Sequence, residues 1–119
     1  MTNQPSNQQT LQQKRAAQAW KDVQSAKKIK EYPSLVKGFA ANVQRDGLGA
    51  SLAFLQAKGK DEHNALNRHL SSWVLKELGW QGQTLLETLL TKNTADYRRA
   101  TAEVLAYLLW LKRFAEGQE

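Results

Sequence analysis

The sequence contains no cysteine, so it offers neither a disulfide nor a thiolate ligand for a metal. Its longest apolar run, Val104–Leu111, is far shorter than the ~20 residues that a membrane-spanning helix requires. No apolar segment near the N-terminus has the form of a secretory signal. We therefore expect a cytoplasmic protein that has no contact with a membrane.

Strand-like patterning is lacking as well. No segment alternates apolar and polar residues, and β-branched residues are sparse. The apolar residues instead recur at helical spacing, which predicts an all-α fold, a compact bundle of five to six helices. The polar first nine residues are predicted to be a disordered N-terminal tail, and residues 10–119 a single helical domain.

Capping and helix-breaking residues set the expected helix boundaries. Tyr32-Pro33 separates the first two helices, and Gly47 is expected to adopt a left-handed conformation at the end of the second. Thr84 and Glu87 resemble a capping box. The predicted helices are 10–31, from Pro33 to Asp46, from Leu48 to about Lys58, about 61–78, from Thr84 to about Thr91, and from Asn93 or Thr94 to the residue before Gly117.

Four tryptophans are many for a chain of this length. Trp20 falls at helical spacing with Ala19 and Val23, so it is predicted to lie on the buried face of the first helix. Most of the tryptophans should anchor the core. Trp80 and Trp110 are the candidates for a protein interface, because tryptophan is enriched where partners bind tightly.

Catalytic patterns are also missing. His63 and His69 are six residues apart on different faces of one predicted helix, and the metalloprotease spacing is absent. They are interpreted as structural histidines. Gly47-Leu48-Gly49 follows a helix and lacks the third glycine of a dinucleotide loop. We expect no enzyme activity, no cofactor, no metal site and no small-molecule substrate.

The positive charge is unevenly distributed. The net charge is +6, and residues 1–45 hold eight Lys or Arg against two acids, whereas residues 46–119 hold nine of each. Such a one-sided surface favours a polyanion partner, although a solvated helix face stays open as the alternative. Three groups are candidates for nucleic-acid binding: Lys14, Lys21 and Lys28 at seven-residue spacing, the pair Arg98 and Arg99, and the pair Lys112 and Arg113.

Three segments resemble one known family. They are Lys14–Ala16 followed by Trp20, then Asp46–Lys58 (DGLGASLAFLQAK), then Tyr97–Glu103 (YRRATAE) with Trp110–Ala115 (WLKRFA). In order, they resemble the small subunit of the Cmr (type III-B) CRISPR effector complex. By position, four residues match basic residues of the family's motifs: Arg15, Lys58, Lys112 and Arg113.

The resemblance implies an all-helical, non-catalytic subunit of an RNA-guided, RNA-targeting antiviral complex. It implies backbone and large subunits of the Cmr complex as partners, and further copies of the chain stacked head-to-tail in a minor filament. Basic side chains would contact the backbone of guide or target RNA. Two other functions stay open: a free-standing basic helical regulator that binds nucleic acid, and a pure protein-interaction adaptor.

Overall fold

The fold is a bundle of six α-helices without a β-strand in the described residues. The computed structural model describes residues 9–117, so most of the tail predicted to be disordered lies outside them. The predicted all-α bundle of five to six helices is confirmed. The helices are α1 (Leu11–Ser25), α2 (Tyr32–Asp46), α3 (Leu48–Lys58), α4 (Asp61–Leu78), α5 (Leu85–Leu89) and α6 (Thr94–Glu116).

Local capping explains why several boundaries agree with the sequence. Thr10 and Gln13 form a reciprocal capping box at the start of α1, and the Asn93 side chain accepts from the Asp96 N–H at the start of α6. Gly59 and Gly79 end α3 and α4 with positive φ angles of 62° and 69°. Glycine adopts a left-handed backbone conformation at little energetic cost, so these two residues end the helices at the predicted bounds.

The predicted first helix was too long. It ends at Ser25, and residues 26–31 form tight turns in which the Ile29 N–H donates to the Ala26 carbonyl and the Tyr32 N–H donates to the Ile29 carbonyl. These turns bring Tyr32 into the core, where only 1% of its surface is exposed. Burial of this large aromatic ring therefore overrides the helical propensity of the lysine-rich segment.

Two smaller predictions were also wrong in detail. Gly47 has a positive φ of 91°, but its ψ of 159° is extended rather than left-handed helical. The fifth helix spans Leu85–Leu89 and ends before Thr91. The Thr84 side chain does accept from the Glu87 N–H, as expected from the capping pattern.

The first and last helices pack against each other, and this contact organises the bundle. Ala19 and Val23 of α1 are buried against a core to which Val104, Leu108 and Leu111 of α6 contribute. Trp20 does not join them, contrary to the prediction, because it lies at the edge of this contact with 51% of its surface exposed. No helix within residues 9–117 is long and apolar enough to cross a membrane.

Candidate nucleic-acid interface

Three lysines from two helices line one groove. Lys14 and Lys21 of α1 are exposed on one side, and Lys76 of α4 lies on the other. Gln18 and the buried Trp73 also line this groove, which encloses about 330 Å³. The groove contains one carboxylate, Glu77. We call it the three-lysine groove, and its cations suit a chain of phosphates.

Only part of this groove was predictable from the sequence. Lys14 and Lys21 are two helical turns apart within α1, as predicted. Lys28 is exposed but follows the end of α1, so the seven-residue helical register does not extend to it. Lys76 was missed, because its role depends on how α4 lies beside α1. The available signal was its position one turn after Trp73 on a correctly predicted helix.

Arg15 is held by protein acceptors rather than pointing freely to solvent. Its Nε and Nη2 donate to the two carboxylate oxygens of Glu103 at 2.7 and 2.8 Å, and its Nη1 donates to Gln12 Oε1 at 2.9 Å. The Trp73 indole N–H donates to the same Glu103 carboxylate at 2.8 Å. This bidentate pair joins α1 to α6, so the structure gives Arg15 a scaffold contact.

The electrostatics of Glu103 follow from this arrangement. Burial opposes ionisation of its carboxyl, but the hydrogen bonds from Arg15 and Trp73 outweigh burial and hold the pKa of Glu103 below its usual range. The pKa of Arg15 is raised, first by its hydrogen bond to Glu103. Both groups are therefore charged at neutral pH.

The cations of the last helix lie in two pairs, one near each end of α6. Arg98 is exposed and lines a shallow cleft with Lys92 and Tyr97. Arg99 Nη1 lies 3.1 Å from the Asp96 carboxylate, and Arg113 Nη1 lies 3.9 Å from that of Glu116. Exposed pairs of this kind contribute little stability.

The remaining cationic candidates differ in exposure. Lys112 is half-buried. Lys58 is exposed, and its ammonium lies 5.8 Å from the centroid of the Phe54 ring. Neither residue lines the three-lysine groove. Of the predicted cations, the structure therefore places Lys14 and Lys21 in the three-lysine groove, and the others do not line it.

The two candidate interface tryptophans lie on different parts of the bundle. Trp80 is half-buried after α4, with the Lys92 ammonium 4.7 Å from its ring centroid. Trp110 is half-buried on α6, and its indole N–H donates to Gln12 Oε1 at 3.2 Å. Phe114 bridges Trp110 to the exposed Trp20, with ring centroids 5.8 and 5.4 Å away. Trp20 thus adds an exposed aromatic surface, contrary to its predicted place on the buried face of α1.

Both histidines are buried, and one joins three helices. His69 Nδ1 lies 2.7 Å from the Tyr32 hydroxyl and Nε2 lies 3.1 Å from Ser25 Oγ. Ser25 donates its hydroxyl proton to the Asp22 carbonyl, so it accepts from His69 and the imidazole fits as the neutral form with its proton on Nε2. Burial lowers the pKa of His69, consistent with that form. No cluster of three potential metal ligands occurs among residues 9–117.

Two of the segments that resemble the known family meet in the structure. The Gly49 N–H donates to the Tyr97 hydroxyl at 2.8 Å. A Cβ atom on Gly49 would lie 3.2 Å from that hydroxyl oxygen, so glycine allows the close approach. Together with Arg15 and Glu103, this contact assigns residues of the family's motifs to the scaffold.

Comparison with known proteins identifies the family. The model of the family described as CRISPR-associated protein (Cas_Cmr5) matches residues 11–118. The CRISPR system Cmr subunit Cmr5 of Thermus thermophilus is 33% identical over 106 residues, covering 86% of this chain and 90% of that protein. The X-ray crystal structure of a CRISPR-associated Cmr5 family protein from Thermus thermophilus is similar with a TM-score of 0.78 and 32% identity, covering 92% of this chain and 97% of the other. Sequence and structure agree over nearly the whole chain, which therefore belongs to the CRISPR-associated Cmr5 family.

Proposed function

We propose that the chain is a non-catalytic small subunit of a Cmr (type III-B) CRISPR complex and that its three-lysine groove binds the backbone of guide or target RNA. Membership of the Cmr5 family supports the place in the complex, since the Thermus relative is named as a Cmr subunit. The observation that carries RNA binding is the convergence of Lys14, Lys21 and Lys76 on one groove. Contacts of this kind neutralise phosphates without reading bases.

The groove suits a complex in which base pairing supplies sequence recognition. A protein in such a complex needs positive charge and a matching shape rather than base-specific contacts. The three lysines provide point charges on flexible side chains, which tolerate variation in the position of the phosphates. The alternative of a pure protein adaptor predicts that these lysines are only solvated.

Charge reversal in the groove is expected to reduce the salt dependence of RNA binding. For Lys14→Glu, Lys21→Glu and Lys76→Glu combined, the slope of log affinity against log salt should become shallower by roughly two to three, because each lost phosphate contact contributes about 0.7 to 0.9. The measurement is RNA retention by the assembled complex at several salt concentrations. Adding Lys28→Glu tests the third lysine of the group that was predicted from its seven-residue spacing.

The matched control is the triple variant Arg45→Glu, Lys60→Glu and Arg68→Glu. It reverses three exposed charges outside the groove and gives the same net charge. We expect it to retain most of the wild-type slope. Equal slopes for the two triple variants would contradict a specific role of the groove, and an unchanged slope in both would favour the adaptor.

We also propose that copies of the chain stack head-to-tail through unlike surfaces that include Trp80 and Trp110. A head-to-tail contact needs two different complementary patches on each copy. Trp80 lies after α4, whereas Trp110 and Trp20 lie on the contact between α1 and α6. The half-buried and exposed indole surfaces at these sites suit interface anchors.

Removing either anchor is expected to lower the number of copies in the complex. Trp80→Ala and Trp110→Ala should each weaken stacking by roughly 30-fold, the effect of losing one interface anchor of about 2 kcal/mol. Native mass spectrometry counts the copies, and Phe54→Ala is the control because it removes an exposed ring from α3. An unchanged copy number in both tryptophan variants would show that neither residue lies at the stacking contact.

A further inference from the structure

A small cleft opens where the chain passes from α1 to α2. It encloses about 260 Å³ at the turns that end the first helix early. The cleft is separate from the three-lysine groove, with which it shares no lining residue. Aliphatic groups form much of its lining: Val23, Ala26, Ile29 and Pro33. A single apolar side chain of a partner matches this volume and lining.

Two lysines complete the lining of the cleft. Lys27 and Lys30 are exposed there, and no carboxylate lines the cleft. The nearby acid Asp22 is already engaged, since it accepts from the Tyr107 hydroxyl. Glu31 is the N-cap residue of α2, but its side chain makes no cap hydrogen bond and does not line the cleft.

Helix stabilisation alone does not account for these lysines. The favourable effect of a cation at a helix C-terminus falls off within the last turn. Lys27 directly follows the C-cap residue Ala26, where the dipole of α1 still favours a cation, but Lys30 lies five residues beyond Ser25, more than one turn away. Their charges are therefore available to a negatively charged partner.

The polar groups of the cleft favour a polypeptide over RNA. Tyr32 lines the cleft, but its hydroxyl is engaged with His69 in the interior. The other uncharged side chains of the lining are aliphatic, and a sugar–phosphate backbone carries no apolar side chain that could fill them. An apolar side chain next to carboxylates matches both the aliphatic lining and the two ammonium groups.

We propose that this cleft docks an acidic segment of a partner protein, with an apolar side chain in the cleft and flanking carboxylates paired with Lys27 and Lys30. This docking is independent of RNA binding by the three-lysine groove. Lys27 and Lys30, which belong to the excess of positive charge in the first third of the chain, would then contact protein rather than RNA.

Selection of displayed peptides against the full chain tests this proposal. A random 12-residue library should yield sequences in which a leucine, isoleucine or phenylalanine is flanked by Asp or Glu. Binding of a selected synthetic peptide, measured by fluorescence anisotropy, should weaken at least ~10-fold in the Lys27→Glu and Lys30→Glu double variant, because two attractions become repulsions. Replacing the apolar residue of the peptide with serine should have a similar effect.

The control variant is Lys14→Glu with Lys21→Glu, which should bind the selected peptide within about twofold of wild type, since both charges lie outside the cleft. Selected peptides without acidic residues, or peptide affinity that is insensitive to Lys27 and Lys30, would overturn the proposal. A uridine decamer is the RNA probe. If it displaces the selected peptide and its own binding depends on Lys27 and Lys30, the cleft is an RNA surface and the proposal fails.

Discussion

Glu103→Ala is expected to lower the free energy of unfolding by about 3–5 kcal/mol, the usual cost of removing one partner of a buried ion pair. The Glu103 side chain is only 8% exposed, and that of Arg15 is 15% exposed. The substitution leaves the Arg15 guanidinium without its carboxylate and the Trp73 indole N–H without its acceptor. Urea denaturation at pH 7 measures the change.

Two further variants separate the effect of the Glu103 charge from the effect of losing the whole side chain, and measure its coupling to Arg15. Glu103→Gln keeps an acceptor for Trp73, so its cost should be smaller, about 1–3 kcal/mol. A double-mutant cycle with Arg15→Ala should give a coupling energy of at least ~1 kcal/mol. Simple additivity of Arg15→Ala and Glu103→Ala would contradict the pairing.

The Arg15→Ala variant also distinguishes the scaffold contact of Arg15 from its predicted contact with RNA. Because Nε, Nη1 and Nη2 of Arg15 each donate to a protein acceptor, Arg15→Ala should leave the salt slope of RNA binding unchanged wherever the variant is folded. A slope shallower by about one would show that the guanidinium contacts a phosphate.

Acidification from pH 7 to pH 5 is expected to destabilise the fold through His69. Burial lowers the pKa of His69, the nearby Arg68 charge lowers it further, and Asp22 opposes them. The unfolded chain therefore binds a proton near pH 6.5, whereas the folded chain binds it only at lower pH. The stability that neutral His69 contributes is fully present above about pH 6.5. It is lost as the pH falls towards the pKa of His69 in the folded chain. The free energy of unfolding falls by about 1.4 kcal/mol for each unit by which the pKa of His69 in the folded chain lies below its pKa in the unfolded chain.

His69→Gln is the variant that tests this assignment. It removes the titrating group and keeps polar atoms that can reach Tyr32 and Ser25. We expect a lower free energy of unfolding at pH 7 and a flatter profile between pH 7 and pH 5. Glu103 does not interfere, because a carboxyl with a lowered pKa loses its contribution only below about pH 4.5. A variant that retains the full wild-type slope would exclude His69 as the cause.

Helices bounded by glycine were the most predictable part of the fold. The bounds of α3 and α4 agree with the sequence, because Gly59 and Gly79 impose left-handed ends that depend on local chemistry alone. The end of α1 depends on a distant contact instead. Residues 26–31 contain no breaker, and the helix stops because Tyr32 is drawn into the core beside His69.

Helical spacing was insufficient to place Trp20. Ala19 and Val23 share the buried stripe of α1, whereas Trp20 lies about 100° further round the helix. The width of a buried stripe depends on how closely the partner helix approaches. Since that partner is α6, far away in the sequence, periodicity within α1 does not determine the edge of the stripe.

The candidate site was predictable only within single helices. The spacing of Lys14 and Lys21 follows from α1 itself. The addition of Lys76 and the engagement of Arg15 by Glu103 both depend on contacts between helices. A basic residue in a family motif can therefore make a contact within the scaffold, as the pairing of Arg15 with Glu103 illustrates.

The pairing of α1 with α6 also has a consequence for synthesis of the chain. Hydrogen bonds between these helices join residues 85 to 98 positions apart. At about 5–20 residues per second, roughly 4 to 20 seconds separate the synthesis of the two helices. During that interval α1 has no α6 to pack against, so we expect α1 to complete its packing only after α6 has emerged from the ribosome.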